Sequence, residues 1–132
     1  MKRLIEKILG PFLSSHPSRS SPEPDWVEGG LYATRDDDGS YSALKILKLD
    51  GSGVHVRLYS NKYPSRPERI DESKLYMAGI EREPHEGLGM GHLPLSKKVF
   101  SSWGAVLVQK STVEPEELEG YEIWLESEGG YF

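Results

Sequence analysis

Two short polar, glycine-bearing segments cut residues 31–60 into three strand-like runs, and that punctuation constrains the fold more than any other feature of the chain. Residues 31–35 and 41–49 flank Asp36-Asp37-Asp38-Gly39, and residues 54–60 follow Asp50-Gly51-Ser52-Gly53. Asp-Gly between alternating apolar runs is a hairpin signal, because glycine takes positive φ without steric cost. Three strands joined by two tight turns form a meander, the usual start of a small β-barrel or open sheet.

The third run alternates, which sends Val54, Val56 and Leu58 inward and His55, Arg57 and Tyr59 outward. The second run is apolar on both parities, with Ala43, Leu47 and Leu49 on one and Leu44 and Ile46 on the other. A long strand that changes its buried face needs a bend or bulge. Pro64 and Pro67 then predict a loop over 60–67, and residues 68–76 suit one short strand or a 3₁₀ turn.

Residues 29–78 resemble Tudor and related SH3-like small barrels in the Asp38-Gly39 turn, the Tyr41-Ser42-Ala43 start of the second strand, and the strand 54–59 ending in Tyr59. The resemblance implies an aromatic cage for methylated lysine or arginine, which attracts a cation through ring faces. Tyr41 and Tyr59 match two cage walls, and Tyr63 lies near a third. The chain departs from the pattern before the first turn, where Thr34 and Arg35 stand in place of an aromatic. A cation there would repel the ligand, so the tyrosines read better as a packed barrel rim or an intramolecular interface.

Residues 80–94 read as an irregular connection. Its run Gly87-Leu88-Gly89-Met90-Gly91 lacks the Gly-Lys-Ser/Thr ending of a phosphate loop. His85, Glu86 and His92 are metal-ligand types without a helix-borne spacing or an evident fourth ligand, so no metal site is assigned. Residues 95–103 predict a short helix capped by Ser96, burying Val99, Phe100 and Trp103 and ended by Gly104. Residues 105–110 form a strand candidate. Residues 113–127 suit an acidic helix with Pro115 in its first turn and Leu118, Tyr121 and Leu125 on one stripe, although 121–125 also alternates as a strand would. Tyr131-Phe132 is expected to tuck back as an aromatic hook, with the tyrosine rim as its first candidate dock.

The 132 residues suit one ordinary domain, and 14 glycines with 9 prolines imply many turns and little long helix. Residues 1–13 place Leu4, Ile5, Ile8 and Leu9 at helical spacing opposite Lys2, Arg3, Glu6 and Lys7, an amphipathic helix stopped by Gly10-Pro11. Residues 14–24 are a linker by composition, and 25–132 form the compact domain: a barrel meander over 25–79, then loop, short helix, strand and acidic helix over 80–132. The expected class is α+β, mainly β: a small SH3/Tudor-like barrel or a strongly bent antiparallel sheet with one or two helices in the C-terminal half.

A net charge of −5 argues against general affinity for nucleic acid. Charge is uneven, however: basic residues concentrate over 45–74, while 111–132 carry seven glutamates and no Lys or Arg. The favoured explanation is that the acidic tail folds onto the basic face and neutralises it. No catalytic constellation is found, and the paired Asp36 and Asp38 are accounted for by their turn. No cofactor is expected. The absence of cysteine suits a reducing cytoplasm. The reading is a monomeric, non-catalytic protein-interaction module of unidentified partner, using the residues Tyr41, Tyr59, Tyr63, Arg35, Arg57 and Lys62, the helix 1–13, or both. The alternative is nucleic-acid binding through the basic face. Contact of residues 1–13 with a membrane surface is a further reading, limited by the small apolar area of so short a helix.

Overall fold

The computed structural model describes residues 26–132. The expected helix over 1–13 and the linker over 14–24 lie outside the described residues. Five strands form one antiparallel sheet: β1 (Leu31–Arg35), β2 (Tyr41–Leu49), β3 (Gly53–Tyr63), β4 (Met90–Ser96) and β5 (Val106–Gln109). Their order is β4-β3-β2-β1-β5, so β4 and β5 are edges and the sheet is not a closed barrel. Two short helices, α1 (Lys97–Ser102) and α2 (Glu119–Glu126), complete an α+β, mainly β fold.

The first two strands end where the turn chemistry places them. Gly39 has φ 89°, closing the first turn, and Asp38 accepts from the Ser40 backbone N–H at 2.9 Å. Asp50 organises the second turn by accepting from Ser52 and Gly53 N–H at 2.8 and 2.7 Å. The β2–β3 register shifts between Ser42 and Leu44 and again between Ile46 and Lys48. Those irregularities let β2 bury both of its parities.

Adjacent residues point to opposite sides, and both sides are covered. On one side Tyr32, Leu44, Ile46, Val54, Val56, Leu93 and Leu95 meet Val99 and Phe100 of α1. Ser96 caps that helix by accepting from Val99 N–H at 3.2 Å. Trp26 lies edge-on to Phe100 at 5.1 Å, and Trp103 lies 6.1 Å from Phe100 on the helix's far end. On the other side Leu31, Ala43, Tyr59 and Ile70 form a second cluster. Val56 is inward as expected. His55 and Tyr59 are not outward, since both are buried beneath segments distant in sequence.

Two further expectations change, and a third is narrowed. β3 runs on to Tyr63, pairing Lys62 with Ser42 and Tyr63 with Tyr41, so the loop starts later than Ser60. Residues 90–96, expected to be irregular, form β4. Pro94 is tolerated there because β4 is an edge strand and a missing N–H costs no ladder bond on the outer side. Its carbonyl accepts the Phe132 N–H at 3.0 Å. The C-terminal segment forms a 3₁₀ turn, Pro115–Leu118, then α2, and no strand at 121–125. Tyr121 and Trp124 turn to the sheet, whereas Leu125 is exposed.

Candidate functional site

The six residues singled out from sequence separate into four environments. Arg35 pairs across strands with Tyr41, and Tyr41 with Tyr63, so these three form one row at the open end of β1–β3. Arg35 is exposed, and the two tyrosines are half-buried. Tyr59 lies deeper, 7% exposed in the second core cluster, against which Tyr63 of the row packs. Burial, reinforced by the Glu117 carboxylate, pushes its pKa up to about 12. Lys62 joins the first turn: its Nζ lies 3.1 Å from Asp36 Oδ2 and 3.8 Å from Asp38 Oδ2, and donates to Ser40 Oγ at 3.3 Å.

Arg57 is held beneath the acidic segment that follows β5. Its guanidinium lies 3.6 Å from Glu117 and donates to the Gly91 carbonyl at 3.3 Å. Beside it, Lys45 is 3% exposed. Lys45 Nζ reaches both Glu117 oxygens at 3.2 Å, the Thr112 carbonyl at 2.9 Å and Glu72 at 3.4 Å. Glu117 is itself fixed by accepting the Glu114 N–H at 2.8 Å. The acidic tail therefore does neutralise the basic face at Lys45 and Arg57.

The same covering segment builds a polar centre that sequence reasoning did not find. His55 is fully buried, with Nδ1 2.9 Å from His92 Nε2 and Nε2 2.9 Å from Asp50 Oδ2. The Tyr131 hydroxyl lies 3.0 Å from His55 Nε2 and donates to Asp50 Oδ2. Tyr121, Trp124 and Tyr131 surround the His55 ring with centroids 4.7, 4.6 and 5.3 Å away. Burial alone would raise the Asp50 pKa, but the bonds from Tyr131, His55, Ser52 and Gly53 outweigh it and hold Asp50 well below the usual carboxylate range. Burial first, and Asp50 second, push Tyr131 far above the ordinary phenol range. Burial and the neighbouring His55 lower His92 to about 4. The hook thus docks at Gly53–His55 rather than on the tyrosine row, and a Cβ at Gly53 would collide with the Tyr131 ring. With His55 enclosed, the network fastens the C-terminal hook to the second turn.

His85, Glu86 and His92 are not brought together. His92 faces His55, while Glu86 accepts from the Tyr76 hydroxyl at 2.7 Å. Among the described residues no group of His, Cys, Asp and Glu is arranged to hold a metal ion. Among the same residues no helix is long and apolar enough to cross a membrane.

One cleft, about 920 Å³, opens at the end of the sheet where the first turn meets the loop before β4. Its apolar side is Leu58, Met90 and Trp103, and its polar rim is Asp36, Asp38 and Lys62. Thr34 and Ser42 line it together with Tyr59 and Lys62, two of the residues singled out from sequence, whereas Arg35, Tyr41 and Tyr63 are not among its lining. Ile80 and Leu88 form the loop wall and are 92% and 43% exposed. No family model, no curated protein and no solved structure matches this chain.

Proposed function

We propose that this protein is a non-catalytic protein-interaction module that receives an apolar segment, flanked by basic residues, in the cleft between the first turn and the loop before β4. The observation that carries this reading is Ile80. A large aliphatic side chain 92% exposed on a cleft wall, next to exposed Leu88, is surface that association would bury. Asp36 and Asp38 across the mouth suit a basic flank, and the Arg35–Tyr41–Tyr63 row gives a second, aromatic contact zone behind the same end of the sheet. The three-stranded meander supports the likeness to Tudor and SH3-like domains. Absence of cysteine supports a cytoplasmic setting.

The alternative, nucleic-acid binding through the basic face, loses support because Glu117 engages both Lys45 and Arg57. Capture from native lysate with the wild type and the Ile80→Glu variant tests the reading. The variant should lose its partner while its stability stays within about 0.5 kcal/mol, as for other exposed sites. Equal capture by both proteins would end the proposal. Oligonucleotide titrated at two salt concentrations decides the alternative, which requires salt-sensitive binding.

A further inference from the structure

We infer that α2 and residues 127–132 form an acid-released latch, which lifts from the sheet as one unit when both rings of the His55–His92 pair carry an added proton. Nothing in the latch depends on what the cleft binds.

The unit holds itself together. Trp124 donates its indole N–H to the Gly130 carbonyl at 3.0 Å, and its own carbonyl accepts the Gly129 N–H at 2.9 Å. Its ring meets that of Tyr131 at 5.0 Å. Yet none of residues 119–132 belongs to either buried apolar cluster of the sheet. Their attachments gather instead around the two histidines. Tyr121 and Trp124 lie edge-on to both imidazoles, and the Tyr131 hydroxyl meets His55 and Asp50. The Phe132 N–H reaches Pro94, two residues beyond His92. Upstream, Glu117 is fastened separately to Lys45 and Arg57, which places the hinge at Leu118–Glu119. A segment held at one polar centre and absent from the core can open without unfolding the sheet.

The chemistry of the pair supplies the trigger. His55 Nδ1 and His92 Nε2 share one bond of 2.9 Å. That bond survives one added proton, because the other ring still offers a lone pair. A second proton makes both nitrogens donors and sets two cations against each other. Around the pair stand Asp50 in the second turn, Tyr131 in the hook and Tyr121 on α2. Lys48 of β2 lies 5.9 Å from the Tyr121 ring, and Arg57 of β3 is engaged by Glu117 and the Gly91 carbonyl. Glu119, Glu122 and Glu126 of α2 are exposed. Asp50 touches His55 and not His92, and both its oxygens are already engaged, so it favours the first proton and not the second.

Burial first, and the neighbouring His55, keep His92 at about 4 in the closed form, against 6.5 for a free imidazole. Opening therefore takes up a proton. The latch is closed most firmly above pH 6.5 and loosens as pH falls toward 4. From pH 6 to pH 5 the open-to-closed ratio should rise by on the order of tenfold.

Hydrogen exchange on the full chain tests this at pH 7, 6 and 5, corrected for intrinsic rates, with and without dilute urea. The Trp124 indole and the Gly129 and Phe132 amides report the latch, and the Ile46 amide, bonded to the Gly30 carbonyl, reports the sheet. Latch protons should exchange through an opening that dilute urea barely changes and that is on the order of tenfold or more commoner than opening of the sheet. That opening should show the tenfold rise on acidification. His92→Gln keeps a polar nitrogen in place without a titrating ring, and should abolish the rise while leaving the opening separate from unfolding. Should this variant not fold, the wild-type profile decides alone. Latch and sheet protons sharing one urea-sensitive opening would overturn the latch, since the segment would then leave only with global unfolding. An opening that stays flat from pH 7 to pH 5 overturns the trigger. An equal rise in His92→Gln overturns it too, and assigns release to carboxylates.

Discussion

His55 and His92 stack with centroids 5.1 Å apart and planes 11° from parallel, and they share one nitrogen-to-nitrogen hydrogen bond. Such a bond needs a lone pair on one ring, so the pair cannot be doubly protonated and stay bonded. Asp50 accepts from His55 Nε2, which leaves His55 Nδ1 as the ring atom that meets His92 Nε2.

The first prediction follows for pH. His92 falls to about 4 in the folded chain against 6.5 for a free imidazole, so the unfolded chain takes up its proton first. Stability should be full above about pH 6.5 and decline as pH falls toward 4. Lys48, 5.9 Å from the Tyr121 ring, adds a cation on the same side and Asp50 an anion. Urea midpoints at pH 7, 5.5 and 4.5 measure the decline, and His92→Gln should flatten it. A wild-type midpoint that rises on acidification contradicts the assignment.

A second concerns Lys45. Removing its carboxylate strands a buried cation, whereas replacing the lysine by an apolar side chain of similar length removes the need for one. Glu117→Gln should cost about 2–3 kcal/mol, less than the loss of every partner because Glu72 remains at 3.4 Å. Lys45→Met should cost less than Glu117→Gln in the same denaturation series. The reverse order would mean that the pair is solvated.

Val56 is fully buried in the first cluster. Val56→Asp should therefore unfold the chain, since the charge would be buried among Ile46, Val54, Leu93 and Leu95. Circular dichroism reads this directly, and a native spectrum with an unchanged melting point would place Val56 outside the core.

The hook gives a fourth. Tyr131→Phe keeps the ring against Gly53 and Trp124 but deletes the hydroxyl between Asp50 and His55. The expected cost is about 1–2 kcal/mol, with the Asp50 pKa rising toward its ordinary value. Carboxyl chemical shifts followed against pH report that rise, and a static Asp50 would deny Tyr131 its role.

Much of the fold was legible because its signals are local. The turns at Asp36–Gly39 and Asp50–Gly53, the Ser96 cap and Pro115 each act within a few residues. β4 was hidden because Gly89, Gly91 and Pro94 weaken every strand signal, and only pairing with β3 recovers it. His55 looked outward because its neighbours alternate. The groups that bury it come from 37 residues away at His92 and 76 at Tyr131. Tyr59 was misplaced for the same reason, its cover being Ile70. Of the candidate contact zone, the row Arg35–Tyr41–Tyr63 follows from register alone, while the cleft depends on where the loop over 76–89 returns.

Ile70 belongs to no strand, yet its N–H donates to Gln109 Oε1 at 2.8 Å and its carbonyl accepts from Gln109 Nε2 at 3.0 Å. A primary amide offers the donor and acceptor that a neighbouring strand would offer, so one side chain of β5 serves as a one-residue surrogate ladder. Only an amide can do both. Its glutamate counterpart would have two acceptors and no donor, and leucine would have neither. In hydrogen–deuterium exchange the Ile70 amide should be an isolated slow site between faster neighbours, its rate reporting the attachment of β5 rather than any element of its own.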